Sequence, residues 1–476
     1  MDSVNGFTLV IYLVQVVIVV ITAVILLMEN RQPSKTMAWL LVLGFVPIVG
    51  VLLFIFFGKD LRKEKYINQH SLDLISRQSM IHFAEQTNLE IPEKHVELVR
   101  QFANQKVAMP FAYNDVEVYA EGYDFFAALL KEISKARRHI HLITYIFDDD
   151  ALGRLVADML IDKARQGVTV RVIYDDVGCW KVKDSFFSRM KAEGVLVHAF
   201  MPVRFPALTS KVNYRNHRKI CVVDGKVGFV GGMNIALRYI KGEKKRYWRD
   251  THLRIEGGAV CGLQTAFLTD WFFVDQKLVA DKSYYPKISS MGKNLCLTQI
   301  VTSDPTSQWP ELMQGFVRIL LEAKKYVYIE TPYFLPTEPV TFALRASALA
   351  GVDVRVVVPR KGDSKMVSWA SRSFLEDVID AGVKIYLYQK GFNHSKLLVC
   401  DDNLCSCGSA NIDFRSFENN FEANAFIYDK KTVATVKKVL DDDLAQSVLL
   451  DVNRFRRRPF LERLWESLLR VIAPLL

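Results

Sequence analysis

The sequence predicts an α/β protein made by duplication, with a two-helix transmembrane hairpin at its N-terminus. Three observations predict it. Two long apolar runs without a charge occupy most of residues 1–60. Beyond them, short apolar strands alternate with helical stretches that end at glycine, the patterning of mixed, largely parallel sheets flanked by helices. The signature His-x-Lys-x4-Asp then occurs twice, in NHRKICVVD and FNHSKLLVCD, with its histidines 177 residues apart.

The hairpin comes first. Residues 7–28 and 37–57 contain no charged side chain, and each is long enough as a helix to cross a hydrocarbon core, which takes about 20 residues. Only ENRQPSKT separates them. Pro47 and Gly50 interrupt the second run, which predicts a kink or a re-entrant segment. MDSVNG has no Lys or Arg and no cleavage site follows, which argues against a signal peptide. Two spans leave both ends on one side. Lys59, Arg62, Lys63 and Lys65 flank that side, against Arg31 and Lys35 in the loop, so the positive-inside rule puts the body in the cytoplasm. The hairpin is thus 1–60 of the cell-membrane-bound chain, and the polar stretch 61–110 reads as a helical linker.

The remainder reads as one unit used twice, over 111–290 and 291–476. In the first copy HIHLITYIF (139–147) leads to GVTVRVIYDD (167–176) and then EGVLVHAF. In the second, YVYIETPYFL (326–335) leads to GVDVRVVVP (351–359) and then AGVKIYLY. Such a duplication places two similar units about a pseudo-twofold axis. A chain of 476 residues exceeds what one growing core accommodates, which fits this division.

Each copy carries the same polar constellation. His217 and Lys219 lie at i and i+2 of a strand and share one face, as do His394 and Lys396. Asp224 and Asp401 complete the candidate catalytic set by their place in the signature, and read at least as well as turn or salt-bridge residues. GGMN (231–234) and GSAN (408–411) follow, putting Asn234 and Asn411 each 17 residues after its histidine. The small residues there are expected to let a ligand approach closely. Two such half-sites face to face suit a phosphodiester, which needs an attacking group and a leaving-group acid on opposite sides of phosphorus. Two histidines supply nucleophile and acid. Lysines and asparagines hold the non-bridging oxygens. Lysine charge takes the place of a metal, so no cofactor is expected, and a cation beside each histidine disfavours metal binding.

These residues resemble the phospholipase D superfamily. SANIDFRSFENNFEAN, TPYFLP, YWRDTHLRIEG and the hairpin with KTMAWLLV are similar to bacterial cardiolipin synthases, over nearly the whole chain. The resemblance implies two phospholipase D-like halves and transfer between two phosphatidylglycerol molecules through a phosphatidyl-histidine. It implies His217 as nucleophile and His394 as acid and then base, although the near-symmetric pair does not itself distinguish them. It also implies a downstream carboxylate for each histidine, Glu422 for His394 and Asp250 for His217, favouring the imidazolium form.

Composition is consistent with this reading. The chain has 62 Lys and Arg against 52 Asp and Glu, a net charge of +10, which suits an anionic membrane or nucleic acid. Its seven cysteines form no CxxC pair, which argues against zinc and for reduced, buried residues. At the C-terminus, RFRRRPFLERLWESLLRVIAPLL sets Phe460, Leu461, Leu464, Trp465, Leu468 and Ile472 on one helical face and Glu462, Arg463, Glu466 and Arg470 on the other. Either this amphipathic helix lies on a membrane interface or it packs on the body. Three rival functions remain open to the sequence. One is a phospholipase D-type hydrolase or a transferase using phosphatidylethanolamine. The second is a nuclease, against which the apolar runs argue: lipid and membrane are the expected partners, and nucleic acid is not. The third is a non-catalytic scaffold. An oligomer is compatible with all of them.

Overall fold

The computed structural model describes residues 6–28, 33–57, 69–86, 89–105, 108–203, 213–243, 246–286 and 296–475. The flanking cations Arg31, Lys59, Arg62, Lys63 and Lys65, and the Lys35 side chain, lie outside the described set. The chain divides into two units, one holding residues 1–65 with 203–213 and the other 66–202 with 214–476.

In the first unit the apolar run 7–28 is a helix, Gly6–Met28. The second run is not one helix but two, Pro33–Phe45 and Pro47–Phe57. The proline supplies the reason: it has no N–H for the ladder, so the bond to Leu43 O is missing, while Val46 keeps its bonds to Val42 and Gly50. The pieces have 13 and 11 residues, and side chains of the first helix are described without a gap only over 12–28. Among the described residues no helix is long and apolar enough to cross a membrane.

The second unit is organised by one sheet of fifteen strands. Half 1 contributes β1 (Pro110–Tyr119), β2 (His139–Thr144), β3 (Thr169–Asp175), β4 (Leu196–Phe200), β5 (Ile220–Val223), β6 (Val227–Gly231) and β7 (His252–Glu256). Half 2 contributes β8 (Cys296–Ser303), β9 (Tyr326–Glu330), β10 (Asp353–Pro359), β11 (Lys384–Tyr388), β12 (Leu397–Cys400), β13 (Leu404–Gly408) and β14 (Glu422–Ile427), with β15 (Ser447–Leu449) at its edge. Their order is β15-β11-β10-β9-β12-β13-β14-β8-β1-β7-β6-β5-β2-β3-β4. Reading outward from the central β8–β1 pair, each strand of half 1 meets its equivalent seven strands later in half 2. The duplication is therefore visible strand by strand.

The sheet corrects one expectation. It is mixed but mainly antiparallel: only the outer trios β2-β3-β4 and β9-β10-β11 run parallel. Helices such as Ala151–Arg165 and Glu338–Leu349 make the crossovers there. The inner strands run antiparallel, and two of their pairs, β5-β6 and β12-β13, are hairpins. The described part of 61–110 is largely helical and packs on the body. Helix Gln69–Ala84 buries Ile75 in the core, and helix Val96–Asn104 sets Phe102 4.8 Å from Phe426. Helices on both faces make the sheet strands nearly continuous in burial, as β5 and β12 show with every residue buried.

Candidate active site

The turns after β5 and β12 fix the register of the whole site. Asp224 and Gly225 have φ of 54° and 66°, and Asp401 and Asp402 have 49° and 58°, the left-handed pair of a type I′ hairpin. The Asp224 carboxylate accepts from the amides of Arg137, Arg138 and His139. The Asp401 carboxylate accepts from those of Lys324, Lys325 and Tyr326 in the same way. Both aspartates of the signature thus clamp the start of β2 or β9. They belong to the scaffold, which removes them from the candidate catalytic set.

The histidines stand at the other end of these strands and are almost wholly buried. His217 Nδ1 lies 3.0 Å from Glu422 Oε1, and His394 Nδ1 lies 2.7 Å from Asp250 Oδ2. The pairing is crossed: each histidine is held by the carboxylate of the other half, not by its own as expected from sequence. Backbone hydrogen bonds give the reason. The segment before His394, Gly391–Asn393, pairs in parallel with Tyr247–Arg249, which leads into Asp250, and the His394 amide donates to Arg249 O. The segment before His217 makes the matching bridge, Asn216 to Phe421, and the His217 amide donates to Phe421 O. Each motif approach has left its own sheet edge and is stitched to its neighbour's.

Because a carboxylate only accepts, Nδ1 carries the hydrogen in both rings and Nε2 keeps its lone pair. Burial lowers the pKa of each histidine to about 4, against the opposing pull of Glu422 on His217 and of Asp250 on His394. Burial thus outweighs the carboxylates, and the neutral imidazole is favoured, contrary to the imidazolium expected. Burial alone would raise Asp250 and Glu422. Lys396 and the hydrogen bond from His394 on Asp250, and the hydrogen bond from His217 with Lys219 on Glu422, bring both below the usual carboxylate range.

The small-residue turns serve the carboxylates rather than a ligand. A Cβ at Gly232 would lie 2.1 Å from Asp250 Oδ1, so only glycine leaves room for that carboxylate. The equivalent position in half 2 is Ser409, whose hydroxyl donates to Glu422 Oε2 at 2.5 Å. Asn420 Nδ2 donates to Glu422 as well, at 3.2 Å.

Both histidines open on one cavity of about 310 Å³. Its wall includes Asn234 and Asn411, with Arg215, Arg238 and Arg415. Asn234 also ties the site together, accepting from the Ile146 amide and donating to the Tyr239 hydroxyl. Asn411 Nδ2 donates to Asp413, while its buried Oδ1 has no hydrogen-bond partner among the described atoms. The lysines are not on the wall. Lys219 Nζ donates to the carbonyl of His217 at 2.5 Å, and Lys396 Nζ donates to that of His394 and lies 2.9 Å from its Nδ1. They lie behind the rings, where burial lowers the pKa of both, Lys219 well below its ordinary value, against the pull of Glu422 and Asp250.

Sequence reasoning did not single out the supporting ion pairs. Arg218 lies 2.5 Å from Asp270 and Arg249 lies 3.0 Å from Asp443, each next to a crossed pair. Asp175 accepts from the Asn216 amide at 2.9 Å. The signal available was the unusual density of charge in otherwise apolar strand ends, NHRK, YWRD and IYDD.

A duplicated sheet carrying two histidine–carboxylate pairs over one cavity defines a phospholipase D-like enzyme. Comparison with known proteins agrees: residues 129–251 and 316–444 both match the family described as cardiolipin synthase, PLD-like domain, and 16–59 match the phospholipase D-nuclease N-terminal family. The chain is 39% identical to Cardiolipin synthase 2 of Bacillus anthracis over 95% of its own length and 89% of the relative's. It is 39% identical to Cardiolipin synthase of Oceanobacillus iheyensis over 95% and 96%. A solved phosphatidylserine synthase from Haemophilus influenzae, 16% identical, shares the fold with a TM-score of 0.60 over 80% of this chain and all of that one. The chain belongs to the cardiolipin synthase family and is a phosphatidyltransferase.

Proposed function

We propose that the enzyme joins two phosphatidylglycerol molecules into cardiolipin and releases glycerol. The observation that carries this reading is the pair of crossed histidine–carboxylate couples on one cavity. His217 Nε2 attacks phosphorus, the bond from phosphorus to the glycerol oxygen breaks, and His394 gives that oxygen a proton. His394 then takes the proton of a terminal hydroxyl on the second lipid. That oxygen attacks phosphorus, the N–P bond breaks, and His217 is free again. Burial favours neutral imidazoles, which suits the nucleophile. An entering phosphodiester anion favours a proton on its partner. Arg215, Arg238 and Arg415, with Asn234 and Asn411, receive the phosphate oxygens, and Lys219 and Lys396 stabilise developing charge from behind. No step requires a metal.

The N-terminal helices are the membrane anchor in this reading, with two spans and a cytoplasmic body. Support comes from the uncharged helix Gly6–Met28, the match of 16–59 to an N-terminal family, and the positive flank read from sequence. Tethering confines the search for two insoluble anionic lipids to the membrane plane.

The test is purified protein in detergent with phosphatidylglycerol and a chelator, followed by mass spectrometry of lipids and free glycerol, beside His217→Ala. Cardiolipin and glycerol in equal amounts, absent in the variant, is the expected result. Phosphatidic acid alone would make the enzyme a hydrolase.

A further inference from the structure

The C-terminal helix, Phe460–Val471, is packed inside out. Its face toward the protein carries Glu462, Glu466 and Arg470, with Leu469 in the core among them and Ile472 packed on that core just beyond. Arg372 lies 2.7 Å from Glu462 and 3.4 Å from Glu466, Arg458 lies 3.1 Å from Glu466, and Arg470 pairs with Asp377. Glu466 is 1% exposed. Its apolar face looks outward: Phe460, Leu461 and Val471 are 75–77% exposed, with Leu464, Trp465 and Leu468 about half exposed. A helix held to a water-soluble body normally does the reverse. Burying ionised side chains while exposing six large apolar ones makes sense only where something apolar covers the outer face.

The surroundings say what covers it. Arg454, Arg456 and Arg457 are exposed just before the helix, and none of Arg454, Arg457 and the neighbouring Lys361 is ion-paired among the described residues. Unpaired cations around an apolar stripe bearing Trp and Phe complement an anionic bilayer surface, where the aromatic rings sit at headgroup level. Beside the helix opens a groove of about 980 Å³, lined by Lys361, Arg360, Arg454 and Arg457 and reaching Pro459 and Glu462 of the helix start. It shares Tyr333 and Val367 with the catalytic cavity. We propose that the outward face of the C-terminal helix seats in the interface of an anionic bilayer, so that the basic groove meets lipid headgroups and leads one phosphate toward the histidines. This rests on the lipid-transfer reading above, and extends it by naming where lipid enters.

The full chain carrying Leu464→Cys, labelled with an environment-sensitive dye, tests this in nanodiscs; the seven native cysteines are buried. In phosphatidylglycerol discs the emission should shift to the blue and be quenched by lipids spin-labelled near the headgroup. Adding Arg454→Glu and Arg457→Glu should weaken both effects. An aqueous spectrum in the discs overturns the proposal. So does a blue shift without lipid quenching, which would mean that a second copy covers the face. Quenching needs no turnover, so a protein that docks yet forms no product tells against the reaction and not against this surface. Leu461→Glu with Leu468→Glu should lower turnover on bilayer lipid about tenfold or more while sparing detergent-dispersed lipid, because binding strength follows buried apolar area. Equal loss in both would count against the docking role.

Discussion

Neutralising one carboxylate tests the crossed pairing, because it should disable the histidine of the other half. Glu422→Gln removes the charge 3.0 Å from His217 Nδ1, and Asp250→Asn removes the one 2.7 Å from His394 Nδ1. A charge-assisted hydrogen bond in a buried site is worth about 1.5–3 kcal/mol. Expressed fully in the transition state, that is about ten- to hundredfold in rate, the range also found when partners of metal-bound histidines are removed. Rate alone would not separate the two variants, so the assay varies the leaving group. A phosphatidyl p-nitrophenyl ester departs without a proton and bypasses the acid. Measured on this ester and on phosphatidylglycerol, the variants His217→Ala, His394→Ala, Glu422→Gln and Asp250→Asn should sort into two classes. One histidine variant regains the first step on the activated ester, seen as a burst of p-nitrophenolate, and so does one carboxylate variant, while the second step still lacks its base. Crossed pairing requires the rescued two to come from opposite halves, His394 with Asp250 if His217 is the nucleophile. Rescue of a histidine and a carboxylate from the same half would refute the geometry.

Other consequences are as direct. Gly232→Ala should mimic Asp250→Asn in this assay and, by overpacking, cost about 1–3 kcal/mol of stability, since the added Cβ meets the buried carboxylate 2.1 Å away; an active Gly232→Ala would show that Asp250 has slack. Asp224→Ala and Asp401→Ala should each cost about 1–3 kcal/mol of stability, the penalty for orphaning clamped amides, with turnover per folded molecule unchanged; denaturant titration beside active-site counting checks this. Burial lowers the pKa of seven histidines: to about 4 for His139, His217 and His394, to about 3 for His252, well below the ordinary value for His141, and below it for His95 and His198. The unfolded chain takes up these protons near pH 6.5, before the native protein does, so folding stability should fall as pH drops from about 6.5 toward 4 and be flat in these groups above about 7. Thermal midpoints across that range, with His252→Gln reducing the slope, provide the check; a midpoint rising toward acid would contradict the burial argument.

Much of this was legible in the sequence because it is local. Strand β5 and its hairpin follow from ICVV and Asp224-Gly225, and the second copy repeats both seven strands on. The equal spacing of Asn234 and Asn411 from their histidines marked them as equivalent. What was not legible depends on which edges meet. Sequence distance favours Glu422 with His394, and nothing in either motif says that Gly391–Asn393 pairs with Tyr247–Arg249. The sheet direction was misread for a similar reason: GVTVRV and GVDVRV mark parallel strands, but they describe only the outer trios. Gly232 and Ser409 looked like room for a ligand because glycine signals close approach without saying of what. The C-terminal stripe was read correctly as amphipathic, but no periodicity tells which side a helix turns to its neighbour.

The crossed couples also bear on how the enzyme comes into being. His217 leaves the ribosome 205 residues before the glutamate that will hold it. Until β14 has been made and added to the sheet, that imidazole has neither its orienting carboxylate nor the opposite wall of its cavity. An arrangement in which each half armed itself would release a competent nucleophile with no acceptor site and leave water as its only partner. Splitting each couple across the duplication places the carboxylate that holds His217 late in the chain, so a protein cut short before residue 422 lacks it.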